Sequence, residues 1–273
     1  MRQVQYFGIS LCMALFAGSF LITGHGAAYF NAVAFIVVFS GTAGATLLSF
    51  PLSRLQAALD SIRNIFAHPG LSREELKDRL LDLSVRSSCH GSACYEQIEK
   101  EEEAEPFLKN AVSFLADNYP LQEIEEILGN QLNAYAFERR QNEKVFRHMA
   151  GLAPAFGIAG SVIGLIGMLM GIGDTDLILQ QIPVALVSTL YGIVLSNFIL
   201  TPVAESIAYD TNKTLLKQRM IFEGIKGVHN GTHPYKLARK LAPFFPEKSG
   251  QEDLIAVREK RRACLGVAEA AET

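Results

Sequence analysis

The chain has 273 residues, 49% of them hydrophobic, and a formal net charge of -3. That length and composition would suit one large soluble domain, while the mildly acidic balance and the absence of a basic stripe exclude a nucleic-acid partner. The decisive feature is distribution: charge-free runs fall at about 4 to 23, 30 to 50, 152 to 173 and 181 to 203. Each is close to the roughly 20 residues that a membrane helix needs.

Four transmembrane helices are therefore expected. The first run exceeds the apolar stretch of about 7 to 15 residues found in a signal peptide, and a second run follows almost at once. Every Lys and Arg lies at Arg2, between Arg54 and Arg147, or between Lys213 and Arg262. The short connections around GHGAAY and GIGDTDLILQ carry none. The positive-inside rule thus predicts that both termini and both large segments are cytoplasmic.

After the second run, Leu52, Leu55, Leu59, Ile62 and Phe66 recur at steps of three and four, the spacing of one helix face. His68-Pro69-Gly70 ends that helix. Ser72 and Glu75 form a capping-box pattern that opens another, predicted to run to about Val85. A polar loop holding Cys89 and Gly91 follows, then the acidic run EKEEEAE, the composition of a solvated face. Cys89, His90 and Cys94 offer at most three metal ligands without a second pair at zinc-site spacing, so no metal and no cofactor are expected. Disulfides are not expected in a reducing compartment.

Further helices are predicted from Glu105-Pro106 and after Tyr119-Pro120. From the latter, no breaker other than Gly129 precedes the third run, so one helix should continue from the cytoplasm into the membrane. The same holds on the way out, from Val203 through Met220. No useful strand alternation occurs. The expected fold is all-α, with transmembrane helices one and two in 1–52, a cytoplasmic helical domain in 53–150, helices three and four in 151–203, and a cytoplasmic helical extension and tail in 204–273.

The third run, GLAPAFGIAGSVIGLIGMLMGIGDTD, is unusual in its lack of side chain. Gly157, Gly160, Gly164, Gly167 and Gly171 are separated by 3, 4, 3 and 4 residues, a stripe that lets a neighbouring helix approach closely. Ala185, Ser188, Gly192 and Ser196, flanked by Thr189, form a similar stripe in the fourth run. Such faces serve ordinary packing or line a narrow path. Pro154 and Pro202 stand at the matching ends of these two runs, where they can bend the helices or act as hinges. None of the four runs contains Asp, Glu, His, Lys or Arg. Ion relays need ionisable groups inside the membrane, so any ion-carrying carboxylate must come from another chain. Nothing combines a nucleophile, a base and an oxyanion site, and no enzymatic activity is expected.

APAFGIAGSVIGLIGML and VALVSTLYGIVLSNFILTPVAESI, together with GTAGATLLSFPL, EPFLKNAV and EGIKGVHNGTHPYKLARKLAPFFP, resemble the A subunits of flagellar stators, the MotA and PomA family. The resemblance extends from the first run to Pro246. It implies an inner-membrane ion channel for motility: a homopentamer around two B-type (MotB- or PomB-like) subunits. Each B-type subunit brings one membrane helix with an ion-carrying aspartate and a peptidoglycan-binding domain. It further implies that Pro154 and Pro202 are the family's two functional prolines, and that Ser161 and Thr189 border the ion path. Sodium-driven members carry Thr at both of those positions, and many proton-driven members have Ala at the first. Protons are the expected cargo, with sodium as the alternative. Arg86, Gly91 and Glu96 match a loop that faces the rotor switch protein, with two extra residues between Arg86 and Gly91. The alternatives are a subunit similar to the ExbB and TolQ group, which usually has three spans, or a stator paralogue that energises another envelope machine.

Overall fold

A computed structural model describes residues 29–67, 71–90 and 105–245, with isolated positions at 15, 18 and 95. Among the described residues all regular structure is helical. The helices are α1 (Ala32–Ser49), α2 (Leu52–Ala67), α3 (Arg73–His90), α4 (Pro106–Ala116), α5 (Leu121–Met170) and α6 (Thr175–Val194). A π-helix (Leu195–Leu200), α7 (Thr201–His229), α8 (Pro234–Leu241) and a 3₁₀ turn (Ala242–Phe244) follow. Three stretches, Ala32–Ser49, Leu121–Met170 and Ile178–His229, are long and apolar enough to cross a membrane. The expected first span lies outside the described residues apart from Leu15 and Gly18.

The chain divides into two compact units, one of residues 1–60 and 142–206 and the other of 61–141 and 207–273. In the first unit α1 packs on α6. Asn31 caps α1 by accepting the Ala34 N–H at 3.0 Å, which satisfies one of the free donors at a helix start. The Tyr191 hydroxyl donates to the Tyr29 carbonyl at 2.6 Å and accepts from Asn31 N–H at 3.2 Å, so α6 fixes where α1 begins. Polar groups on α1 are satisfied within it: Thr42 donates to the Val38 carbonyl and Thr46 to that of Thr42, at 2.7 and 2.6 Å. Such i−4 bonds let a hydroxyl lie in an apolar helix without an unpaired donor. Gly41 receives the Phe156 ring of α5 against its backbone, leaving no room for a side chain.

The second unit has the larger core. Leu76, Leu80, Val112, Ile124, Leu128, Met220, Ile221, Ile225 and Leu237 are fully enclosed. Gly224 sits beneath the Leu80 side chain, where an added Cβ would lie 2.8 Å from Cδ2. The Ser72–Glu75 capping box forms reciprocally: Ser72 N–H donates to Glu75 Oε2 at 2.9 Å, and Glu75 N–H to Ser72 Oγ at 3.1 Å. The helix it opens runs past the predicted Val85 to His90, so Cys89 is helical rather than in a loop. SVRSSCH contains no breaker before Gly91, and the Ser88 hydroxyl folds back onto the Ser84 carbonyl at 2.8 Å. At the end of α4, Tyr119 N–H reaches the Phe114 carbonyl at 3.0 Å across Asn118, whose φ is 54°. That closure needs one left-handed residue, and Asn tolerates it. Gly231, φ 58°, does the same after α7.

Candidate functional site

The glycine stripe of α5 faces α6. An added Cβ at Gly157 would meet the Ser188 carbonyl and Thr189 Cα; at Gly160 the Ser188 side chain; at Gly164 the backbone of Ala185; at Gly167 the Gln181 side chain. As the position rises along α5 its partner falls along α6, so the two helices run antiparallel with backbones close enough to exclude side chains. Lipid supplies no hydrophobic drive between helices, so this close van der Waals approach holds the pair. The stripe ends at Gly167. Gly171 falls beyond the last residue of α5, in the turn, where its N–H donates to the Gly167 and Met168 carbonyls. The turn leaves through Gly173, φ 106°, a conformation that a side chain would strain. Asp174 then opens α6, its carboxylate accepting the Asp176 N–H at 3.0 Å, so that carboxylate caps a helix.

Midway along this seam the structure brings Ser161 and Thr189 together, Oγ to Oγ1 at 2.5 Å. The Ser161 hydroxyl also reaches the Ala185 carbonyl at 2.5 Å and its own Gly157 carbonyl at 3.3 Å. Ser161 has one proton to donate, so when it donates to Ala185 O it accepts from Thr189. Three oxygens thus converge between two helices that hold no ionisable side chain at that level. Uncharged oxygens can order water or ligate a hard cation, but they cannot take up and release a proton near neutral pH. The arrangement is polar and has no acid of its own.

Pro154 and Pro202 lie near one end of the same seam. Pro154 is inside α5, which continues through it to Met170. Proline has no N–H, so the Ala150 carbonyl four residues earlier loses its helical donor. The Ser196 hydroxyl fills that vacancy from the π-helix, donating to the buried Ala150 carbonyl at 2.7 Å. Gly192 makes the approach sterically feasible, since a Cβ there would lie 2.5 Å from the Ala153 carbonyl and 3.1 Å from Pro154 Cα. Pro202 stands one residue past the π-helix, whose last bond runs from Thr201 N–H to the Ser196 carbonyl. An α-helix would drive the Pro202 ring into the carbonyl four residues back, and the wider turn relieves that clash. Beside it, Arg147 bridges Glu143 at 2.5 Å and Glu205 at 2.9 Å. The hydrogen bonds that Arg147 donates to Glu143 and then to Glu205 raise its pKa, so this guanidinium stays charged.

Of the rotor-facing candidates, Arg86 lies on α3 and pairs with Asp82 one turn back at 2.8 Å. Gly91, Cys94 and Glu96 lie outside the described residues. Sequence reasoning placed Ser196 and Gly192 on the small-residue stripe of the fourth run but not against Pro154, and it missed Arg147. A hydroxyl or a glycine opposite a helical proline could have signalled the first two, had the pairing of the helices been known.

Residues 99–220 match the MotA/TolQ/ExbB proton channel family. The chain is 26% identical to motility protein A of Treponema phagedenis, over 92% of this chain and 97% of that protein. Its fold is similar to a chain of the flagellar MotAB stator complex from Bacillus subtilis, with a TM-score of 0.77, 25% identity, and coverage of 87% and 96% of the two chains. It is similar also to a chain of C. jejuni MotAB, with a TM-score of 0.82 at 23% identity, covering 91% of this chain and 98% of the other. A glycine-lined helix pair with no acid beside its oxygen cluster, on a fold shared along nearly its whole length with such chains, makes this protein similar to the MotA/TolQ/ExbB proton channel family.

Proposed function

We propose that this chain is the A subunit of a stator. With a B-type partner it forms an ion channel in the bacterial inner membrane and converts ion flow into torque on the flagellar rotor. The observation that carries this reading is the oxygen cluster of Ser161, Thr189 and the Ala185 carbonyl, at a level of the helix pair that holds no carboxylate. A polar wall of this kind is complete only when a second chain presents an acid to it. A B-type membrane helix with an aspartate fits that requirement, and a ring of A subunits, expected to be five, supplies the surface against which it moves. The channel does no covalent chemistry.

Protons are the proposed cargo. The partner's aspartate would take up the proton itself, and Ser161 and Thr189 would hold water or a polar contact beside it. Both termini are proposed to be cytoplasmic, which follows from the placement of every Lys and Arg. The face bearing Arg86 and the segment with Glu96 are then on the rotor side.

Co-expression with a B-type partner in cells lacking their own stators tests this reading. Partner-dependent motility, together with proton leak in sodium-free medium, is the expected result. Leak from this chain alone would contradict a borrowed carboxylate, and work on a non-flagellar envelope partner would redirect the torque.

A further inference from the structure

We propose that Ser196 is a positioning residue that ties the two prolines into one mechanical unit. The proposal rests on the stator reading for its consequence and on geometry for its existence. Ser196 combines two bonds at this end of the seam. Its hydroxyl donates at 2.7 Å to Ala150, the carbonyl that Pro154 deprives of a helical partner. Its own carbonyl accepts the Thr201 N–H, the bond that closes the π-helix immediately before Pro202.

Each of the two bonds fixes a geometry. A buried carbonyl without a donor is costly, so the Pro154 bend is held in the one geometry that keeps Ala150 within reach of Ser196. The π-turn is held by the wider Thr201-to-Ser196 bond, which Pro202 keeps from tightening into α-helical pairing, so its geometry follows that bond. Displacement of α5 at Pro154 pulls on Ser196, and Ser196 is one end of the turn that sets the direction in which α7 leaves Pro202. A change at the ion path, about two turns along the same seam, is thereby passed to α7 through a hydrogen bond rather than through bulk packing alone. Ser196 does not touch the ion; it fixes how the helix ends answer each other.

The linkage makes a specific prediction, because Pro154→Ala restores the N–H that Ala150 lacks and makes the Ser196 hydroxyl redundant. In the complex purified with its B-type partner, Ser196→Ala should lower the thermal midpoint by about 2 to 4 °C, the effect of losing one hydrogen bond in a chain of this size. In the Pro154→Ala background the same change should lower it by little or nothing. Equal shifts in both backgrounds would overturn the linkage. Should Ser196→Ala alone fail to assemble, recovery in the double variant supports it and continued failure overturns it. For coupling, the readout is ion flux per revolution, from partner-dependent leak and rotation of tethered cells. Ser196→Ala should raise that ratio several-fold and Ser196→Thr, which keeps the hydroxyl, should restore it. A purely structural loss would cut flux and torque together and leave the ratio unchanged, which overturns the coupling role. If the parent complex neither conducts nor turns a motor, the stator reading falls and the coupling role with it, while the thermal cycle still reads the linkage.

Discussion

Gly164 of α5 stands against the backbone of Ala185 of α6: a Cβ at Gly164 would lie 2.6 Å from the Ala185 nitrogen, 2.8 Å from its Cα and 2.9 Å from its Cβ. Two of these are backbone atoms of a packed helix and the third is the methyl fixed to it, and none can swing aside as a longer side chain can. Gly164→Ala should therefore already destabilise the helix pair, and Gly164→Leu should force it apart. The measurement is size-exclusion chromatography of the detergent-solubilised protein. An intact oligomer carrying Gly164→Leu would mean that this seam does not hold the assembly.

Gly129 gives the opposite expectation from the same helix. It lies in the interior of α5 with nothing within 4 Å of an added Cβ. Glycine in a helix interior is worth about 0.5 to 1 kcal/mol less than alanine. Gly129→Ala should raise the thermal midpoint without altering assembly, and a drop would show that the glycine has a backbone role not evident in the fold.

Arg139 and Asp210 link α5 to α7 in the second unit, with Arg139 Nη2 at 2.6 Å from Asp210 Oδ2 and Nε at 3.3 Å from the Thr211 hydroxyl. Only 11% of the arginine side chain is exposed, against 34% of the aspartate. Its removal should cost more than a surface pair, about 1.5 to 3 kcal/mol for a lost charge-assisted bond. Because the guanidinium reaches two acceptors as a fork, Arg139→Lys should recover only part of the loss. Thermal unfolding of Arg139→Ala and Arg139→Lys checks both, and full recovery by lysine would reduce the contact to simple charge.

What the sequence made legible follows from how local each feature is. The capping box at Ser72 and Glu75 needs four residues, and the long run of α5 needs only the absence of a breaker. The glycine stripe announced a close neighbour through its spacing, and α6 is that neighbour. The limits appear where a second element decides. Leu52 and Leu59 share the apolar face read from periodicity, yet they are 67% and 60% exposed while Ala58 and Ser61 of the same helix are buried. Which side of a helix packs depends on what the rest of the chain presents. The π-helix has no composition of its own and results from the ring of Pro202 meeting a turn that has somewhere to widen. The Ser196 bond to Ala150 was hidden for the same reason: one partner is an orphan predictable from Pro154, and the other lies 46 residues away.

The oxygen cluster separates the two candidate ions. A sodium ion has to shed water and find oxygen ligands, so with both hydroxyls gone, in Ser161→Ala combined with Thr189→Ala, sodium-driven work should cease. A proton needs no such shell, because the partner's aspartate takes it directly. The structure also makes Ser161→Ala inexpensive: Thr189 Oγ1 can turn from Ser161 to its own Ala185 carbonyl, an ordinary i−4 bond for threonine in a helix. No buried donor or acceptor is then stranded. For a proton-driven motor, cells carrying Ser161→Ala should swim in sodium-free medium at near the parental speed. Thr189→Ala is the comparison: a larger loss of speed assigns the water-ordering hydroxyl beside the acid to Thr189, and an equally small one shares that role with Ser161. Swimming speed measured against sodium concentration decides between the ions, and failure of the parental protein without sodium would assign the path to sodium, with Ser161 and Thr189 among its ligands.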